Sequence, residues 1–192
     1  MDFAHYSDTT VQMAVELVNT HNPASSTPSE ADQLLDLESL RAYLDRFEDE
    51  WHGEDWAARE PEDRDLEEVR VLRERLRSVF KAADSADAAS VLNELLADTA
   101  AGPRISHHGD GPHLHFEPGR ARMADWLGAA TAMGLTVVLC DYGFERFGTC
   151  GSTTCDDAYI DTSKNRSRRH CSSTCTTREN VAAHRQRAKA EG

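Results

Sequence analysis

Apolar residues recur with a helical period along most of the N-terminal half of the chain. Val11, Val15 and Val18 share one face of residues 11–20, and Asn19 and Asn22-Pro23 follow as stop signals, so a short helix is expected there. The Pro/Ser-rich stretch from Asn22 to Ser29 reads as a loop. From Leu34 to Phe47, the positions Leu35, Leu37, Leu40, Tyr43, Leu44 and Phe47 predict a second helix. Glu48 to Asp65 is dense in acids, has no sustained period and contains Trp51, Trp56 and Pro61, which reads as an irregular but packed connection. The strongest signal runs from Leu66 to Ala83, where Val69, Leu72, Leu76, Val79 and Phe80 form one stripe opposite Arg and Glu. Ala86 to Leu96 predicts another helix, with Leu92, Leu95 and Leu96 turned inward.

The pattern then changes. Arg104 to His108 and His113 to Phe116 alternate around Gly109-Asp110-Gly111-Pro112, which predicts a β-hairpin. Arg120 to Gly134 is helical through Met123, Trp126, Leu127 and Met133. Periodicity leaves open whether Leu135 to Cys140 continues that helix or forms a strand. His107, His108, His113 and His115 suit a hydrogen-bonded surface hairpin, a second metal site or a proton-sensitive patch. No internal repeat or low-complexity segment interrupts the chain.

At 192 residues, the chain is long enough for one domain and a small appendage. With 39% hydrophobic and 29% charged residues, it is too polar for a membrane or collagen-like protein. No run is expected to reach the roughly 18 apolar residues of a membrane span, and Met1 to Tyr6 lacks a basic region followed by an apolar stretch. A cytoplasmic protein without a membrane partner is the expectation. The net charge of −13 disfavours a nucleic-acid-binding surface over the whole molecule. It is unevenly spread, however: from Ala158 onward eight basic residues stand against three acids. An acidic body with a basic arm for a polyanion has this distribution, and so does a solvated helical tail.

Four of the five cysteines, Cys150, Cys155, Cys171 and Cys175, form two short pairs separated by 15 residues. An odd total in a reducing compartment disfavours a disulfide framework. Two close thiol pairs can supply the tetrahedron that zinc prefers, and a segment this poor in apolar residues needs such a staple. One structural Zn2+ on these four residues is the expectation, since four thiolates leave no open position for water or substrate. His170 and His184 are spare candidates, whereas Cys140, in an apolar run, reads as a small core residue. His52-Gly53-Glu54 matches part of a zinc-deaminase signature, but no Pro-Cys-x-x-Cys follows it.

Basic residues flank the second pair. Thr176 and Glu179 have capping-box spacing, which predicts a terminal helix starting just past Cys175, with Arg178, Arg185 and Lys189 on one face. Arg166, Arg168, Arg169, Arg178, Arg185 and Arg187 are the candidate nucleic-acid contacts. In the competing reading, Arg168 and Arg169 pair with the acidic body and fasten the tail to it.

Cys150-Gly-Ser-Thr-Thr-Cys155, Asp161-Thr-Ser-Lys-Asn-Arg-Ser-Arg-Arg169, Cys171, Cys175, Arg178 and Val181-Ala-Ala-His-Arg-Gln-Arg187 together resemble the CGNR zinc finger found at the C-terminus of bacterial transcription regulators. Leu17-Val18-Asn19-Thr20, Leu72-Arg73-Glu74-Arg75-Leu76, Leu92-Asn93 and His113-Leu114-His115 are similar to the stress-induced transcription regulator (ABATE) domain that precedes this finger. The resemblance implies zinc ligation by the four cysteines and a DNA-binding role for the finger, with Arg178 singled out by the motif. Cys175-Thr176-Thr177-Arg178 departs from Cys-Gly-Asn-Arg, and threonine resists the positive φ that glycine and asparagine tolerate.

The expected fold is a mostly α N-terminal domain with a small β-hairpin (α+β) over residues 1–143, followed by a small treble-clef-like or knuckle-type zinc finger over 146–192. The expected function is a DNA-binding transcriptional regulator of double-stranded DNA, with a homodimer and a small-molecule effector as further partners. The alternative is a zinc-stapled protein-interaction or redox-responsive module without direct DNA binding. No Walker loop, G-x-S-x-G, H-E-x-x-H or dinucleotide fingerprint is present, so no enzymatic activity is expected.

Overall fold

A computed structural model describes residues 8–47, 60–106, 113–117 and 122–190. In chain order the elements are α1 (Asp8–Asn19), α2 (Pro28–Ala31), α3 (Leu37–Asp45), α4 (Asp63–Phe80), α5 (Ser85–Asp98), β1 (Gly102–Ser106), β2 (His113–Glu117), α6 (Met123–Tyr142), a 3-10 turn (Phe144–Arg146), β3 (Phe147–Thr149), β4 (Ala158–Ile160) and α7 (Ser173–Ala190). α3 and α5 start where side chains take up free backbone N–H groups. Asp36 Oδ1 accepts from Ser39 N at 2.8 Å and begins α3, and Asp84 Oδ1 accepts from Ala86 N and Asp87 N, both at 2.9 Å, and begins α5.

The hub is α6, against which α1, α4, α5 and β2 pack. Leu135 to Cys140 belongs to this helix and not to a strand. Gly134 does not break it, because its missing side chain serves packing: a Cβ there would lie 2.4 Å from Thr10 Oγ1 and 3.1 Å from Val11 N. Glycine thus lets α1 approach the α6 backbone closely. By length and composition α6 is apolar enough to cross a membrane, contrary to the sequence expectation that no such run exists. Two thirds of that stretch is buried against the rest of the chain, as in a core helix.

The stripe on α4 is buried as its period predicts, with Val69, Leu76 and Val79 fully enclosed. Leu35 departs from its expected place, being exposed just before α3 begins at Leu37. Leu96 is only partly buried on α5. Part of the expected loop at 22–29 is the start of the one-turn helix α2, and the chain around it is pinned by an isolated pairing of His21 with Asp32. The connection at 48–59, with its two tryptophans, lies outside the described residues.

β1 and β2 pair antiparallel as expected, with Arg104 opposite His115 and Ser106 opposite His113. His107 and His108 lie outside the described residues, and of His113 and His115 only the strand positions are described. Cys140 is exposed near the end of α6, not in the core, because the inward face there is taken by Leu135 and Val138. The C-terminal segment is not coreless either. Ala158 and Ile160 of β4 belong to the main hydrophobic core, and the Phe147 ring lies 5.6 Å from that of Phe80.

Candidate metal centre and basic surface

β3 and β4 form a short antiparallel hairpin, with Phe147 opposite Ile160 and Thr149 opposite Ala158. Its connecting loop carries Cys150 and Cys155. Cys150 N donates to Asp157 O at 2.8 Å and Cys155 N to Ser152 O at 3.2 Å, which fixes the first knuckle. Cys171 precedes α7, and Cys175 lies in its first turn, where the Cys175 N–H is accepted by Ser172 Oγ at 3.2 Å. Gly151 N donates to Arg169 O at 2.9 Å and ties the two knuckles together.

The four sulfurs converge, all lying within 4.8 Å of one another. Cys155 and Cys171 Sγ are 3.6 Å apart, and Cys171 and Cys175 Sγ 3.7 Å. A tetrahedron with Zn–S bonds of about 2.3 Å has edges of about 3.8 Å, so the spacing fits one shared ion. Among the described residues, these four cysteines form the one such group, and neither His170 nor His184 belongs to it. Burial pushes the Cys155 thiol up, and it pushes Cys171 up to about 12. Burial acts the same way on Cys175, but hydrogen bonds from Ser172 and the other three thiols outweigh it and lower that thiol. Loading zinc on the cluster therefore displaces protons from thiols, two of which hold them tightly.

Polar contacts around the centre shape the basic segment. Asp161 Oδ1 accepts from Ser163 N at 2.8 Å and Oδ2 from Arg168 N at 2.9 Å, while buried Arg146 donates to the carbonyls of Asp161 and Ser163. Burial opposes ionisation of Asp161, but a hydrogen bond from the Ser163 side chain, these N–H donors and the Arg146 charge hold its carboxyl below the ordinary range. The Arg168 guanidinium lies 4.9 Å from the centre of the Tyr159 ring and donates to the carbonyls of Ile160, His170 and Cys171. Tyr159 in turn crosses Gly148, where a Cβ would lie 2.6 Å from the ring.

α7 begins earlier than expected, two residues before Cys175, because Ser172 and not Thr176 supplies the first capping oxygen. Thr176 sits inside the helix, where its hydroxyl donates to Ser172 O at 3.0 Å. Glu179 makes no capping box. Its Oε1 accepts from Ser152 Oγ at 2.7 Å and Thr153 N at 3.3 Å, so it bridges α7 to the first knuckle. The replacement of Gly-Asn by Thr176-Thr177 brings no strain. Both are helical, and among the described non-glycine residues only Ala100 and Arg166 have positive φ.

The six candidate arginines divide into two groups. Arg166 pairs with Glu145, Arg168 is engaged within the finger, and Arg178 Nη1 donates to Thr154 Oγ1 at 2.7 Å. Arg169, Arg185 and Arg187 are exposed and their side chains make no hydrogen bond or ion pair among the described residues. Among the described residues, neither Arg168 nor Arg169 pairs with the acidic body. The charge relationship is reversed: Lys81, just past the end of α4, pairs at 2.5 Å with Asp156 of the finger. Sequence reasoning missed this contact, and it missed Asn19, which bonds to Ala158 and was read only as a helix stop. Its place within Leu17-Val18-Asn19-Thr20 was the available signal.

The family described as "Putative stress-induced transcription regulator" (ABATE) matches residues 12–142. The CGNR zinc finger matches residues 146–188. No curated protein matches the chain. Together with the sulfur geometry, the second match makes the four cysteines the ligands of one structural zinc.

Proposed function

The chain belongs to the ABATE family and ends in a CGNR zinc finger, and from that premise we propose that it is a transcriptional regulator whose finger binds double-stranded DNA in the cytoplasm. The observation that carries this reading is α7. Zinc and the contacts of Arg178 and Glu179 hold its first turns, while every residue from Asn180 to Lys189 is exposed. That stretch offers Arg185, Arg187 and Lys189 without partners among the described residues, and Arg169 lies at the base of the helix. A rigid helix with unpaired guanidinium and ammonium groups suits phosphate contacts, and its Asn180, His184 and Gln186 are polar enough to meet base edges. The acidic remainder of the chain opposes approach to DNA elsewhere, which leaves the finger as the face that meets the polyanion.

The zinc-loaded full chain, titrated into labelled random duplex by fluorescence anisotropy at several salt concentrations, tests the reading. Binding that weakens as a power of salt concentration is expected. Absence of any salt-dependent binding overturns it.

A further inference from the structure

The three residues that follow the zinc ligand Cys155 are held from two sides. On the side of the helical body, Asn22 Oδ1 accepts the Asp156 N–H at 3.1 Å, and Arg77 Nη1 donates to Asp156 O at 3.2 Å. Asn19 pairs with Ala158 in both directions, its Nδ2 donating to Ala158 O at 2.9 Å and its Oδ1 accepting from Ala158 N at 2.7 Å. On the side of the metal centre, Asp157 O accepts the Cys150 N–H at 2.8 Å, and Asp157 Oδ2 lies 3.4 Å from Cys171 Sγ. One short stretch of chain, through its backbone and the Asp157 carboxylate, therefore touches two helices of the body and both knuckles of the finger.

Arg77 is the deepest part of this joint. It is 5% exposed, and its second amino group donates to the carbonyls of Val18, at 2.6 Å, and His21. Val18 O lies in the last turn of α1, where it also accepts the His21 N–H at 3.3 Å. The same guanidinium thus closes the end of α1 and holds the finger, and a change in how α1 meets α4 must move the carbonyl of Asp156 or break its hydrogen bond. Lys81 adds a half-exposed ion pair of the kind that contributes little.

We propose that Asn19 and Arg77 are positioning residues of the metal centre: by fixing the backbone of 156–158 they set the places of Cys150 and Cys155, and so couple zinc affinity to the packing of α1 on α4. The coupling is reciprocal, so zinc tightens the end of α1 by the same factor that an intact α1–α4 joint tightens zinc. This rests on the zinc site and not on the DNA-binding reading. A finger that fails to bind DNA leaves it standing.

The test uses the zinc-loaded full chain in competition with a chromophoric chelator. Asn19→Ala and Arg77→Lys are each expected to weaken zinc about fivefold or more, within the ordinary range of coupling between sites. Leu92→Ala, a core truncation in α5 away from the joint, controls for general loss of stability and is expected to leave zinc affinity unchanged. Should Arg77→Lys fail to fold, Asn19→Ala decides alone. Hydrogen exchange supplies the reverse measurement: zinc removal is expected to raise exchange at residues 17–21 and 76–81 but not in α5. Wild-type zinc affinity in Asn19→Ala, or a loss no larger than that of Leu92→Ala, overturns the proposal, as does unchanged exchange at 17–21 on zinc removal.

Discussion

Arg73 and Asp32 meet in a two-pronged ion pair, Nη1 to Oδ1 at 2.7 Å and Nη2 to Oδ2 at 3.0 Å, which binds α4 to the segment between α2 and α3. Arg73 is buried and also donates to Thr20 Oγ1 at 3.2 Å, so the pair lies under the end of α1. Burial alone would raise the Asp32 carboxyl. The hydrogen bonds from Arg73 and the Leu34 N–H, with the charges of Arg73 and His21, outweigh it and hold the group below its ordinary range. A carboxylate lowered on folding stabilises the fold above its unfolded pKa, about 3.9, and that contribution is lost as pH falls through the lower folded value. Asp32→Asn is therefore expected to cost about 1–3 kcal/mol at pH 7. The difference from wild type should narrow below about pH 4. Urea unfolding of both proteins at pH 7, 5 and 3 measures it, and a gap that stays constant across that range contradicts the assignment.

The zinc centre holds the finger's second knuckle, while the body has its own core in α1 and α3 to α6. Cys171→Ser is expected to bring metal content from one zinc per chain to none, with loss of helical signal from α7 and retention of the body's cooperative unfolding. Elemental analysis and circular dichroism report the two halves separately. A residual equivalent of zinc in this variant would reveal a second site, for which the histidines around the first hairpin are the sequence candidates. Since burial raises the Cys155 and Cys171 thiols, protons compete with the metal at neutral pH. Zinc is therefore expected to bind progressively less tightly as the pH of a chelator titration is lowered from 8 to 6.

Under the proposed DNA-binding reading, the division among the arginines separates candidate DNA contacts from internal supports. Arg185→Ala is expected to lower duplex affinity and reduce the slope of log affinity against log salt by about 1, as removal of one phosphate contact does. Its zinc content should not change. Arg168→Ala removes donors to three carbonyls, one of them that of the ligand Cys171, so its effect should appear first as faster zinc loss to a chelator. Arg168→Ala with wild-type zinc retention and a slope reduced like that of Arg185→Ala would place Arg168 among the DNA contacts instead.

The sequence by itself determined the elements whose signal is local. A stripe such as Val69, Leu72, Leu76, Val79 and Phe80 reports its own helix because side chains three and four apart must share a face. The two cysteine pairs report their metal because ligand chemistry and short spacing are both written in the chain. Features that depend on partners far along the chain were left to the tertiary structure. Gly134 read as a point where a helix could stop, yet its lack of a side chain is what α1 requires to approach α6. Asn19 read as a stop signal, and only folding brings it to Ala158, 139 residues away. The arginines look alike in sequence because each carries the same charge. Which of them is free depends on the carbonyls, rings and carboxylates that packing places within reach, and no local pattern encodes that.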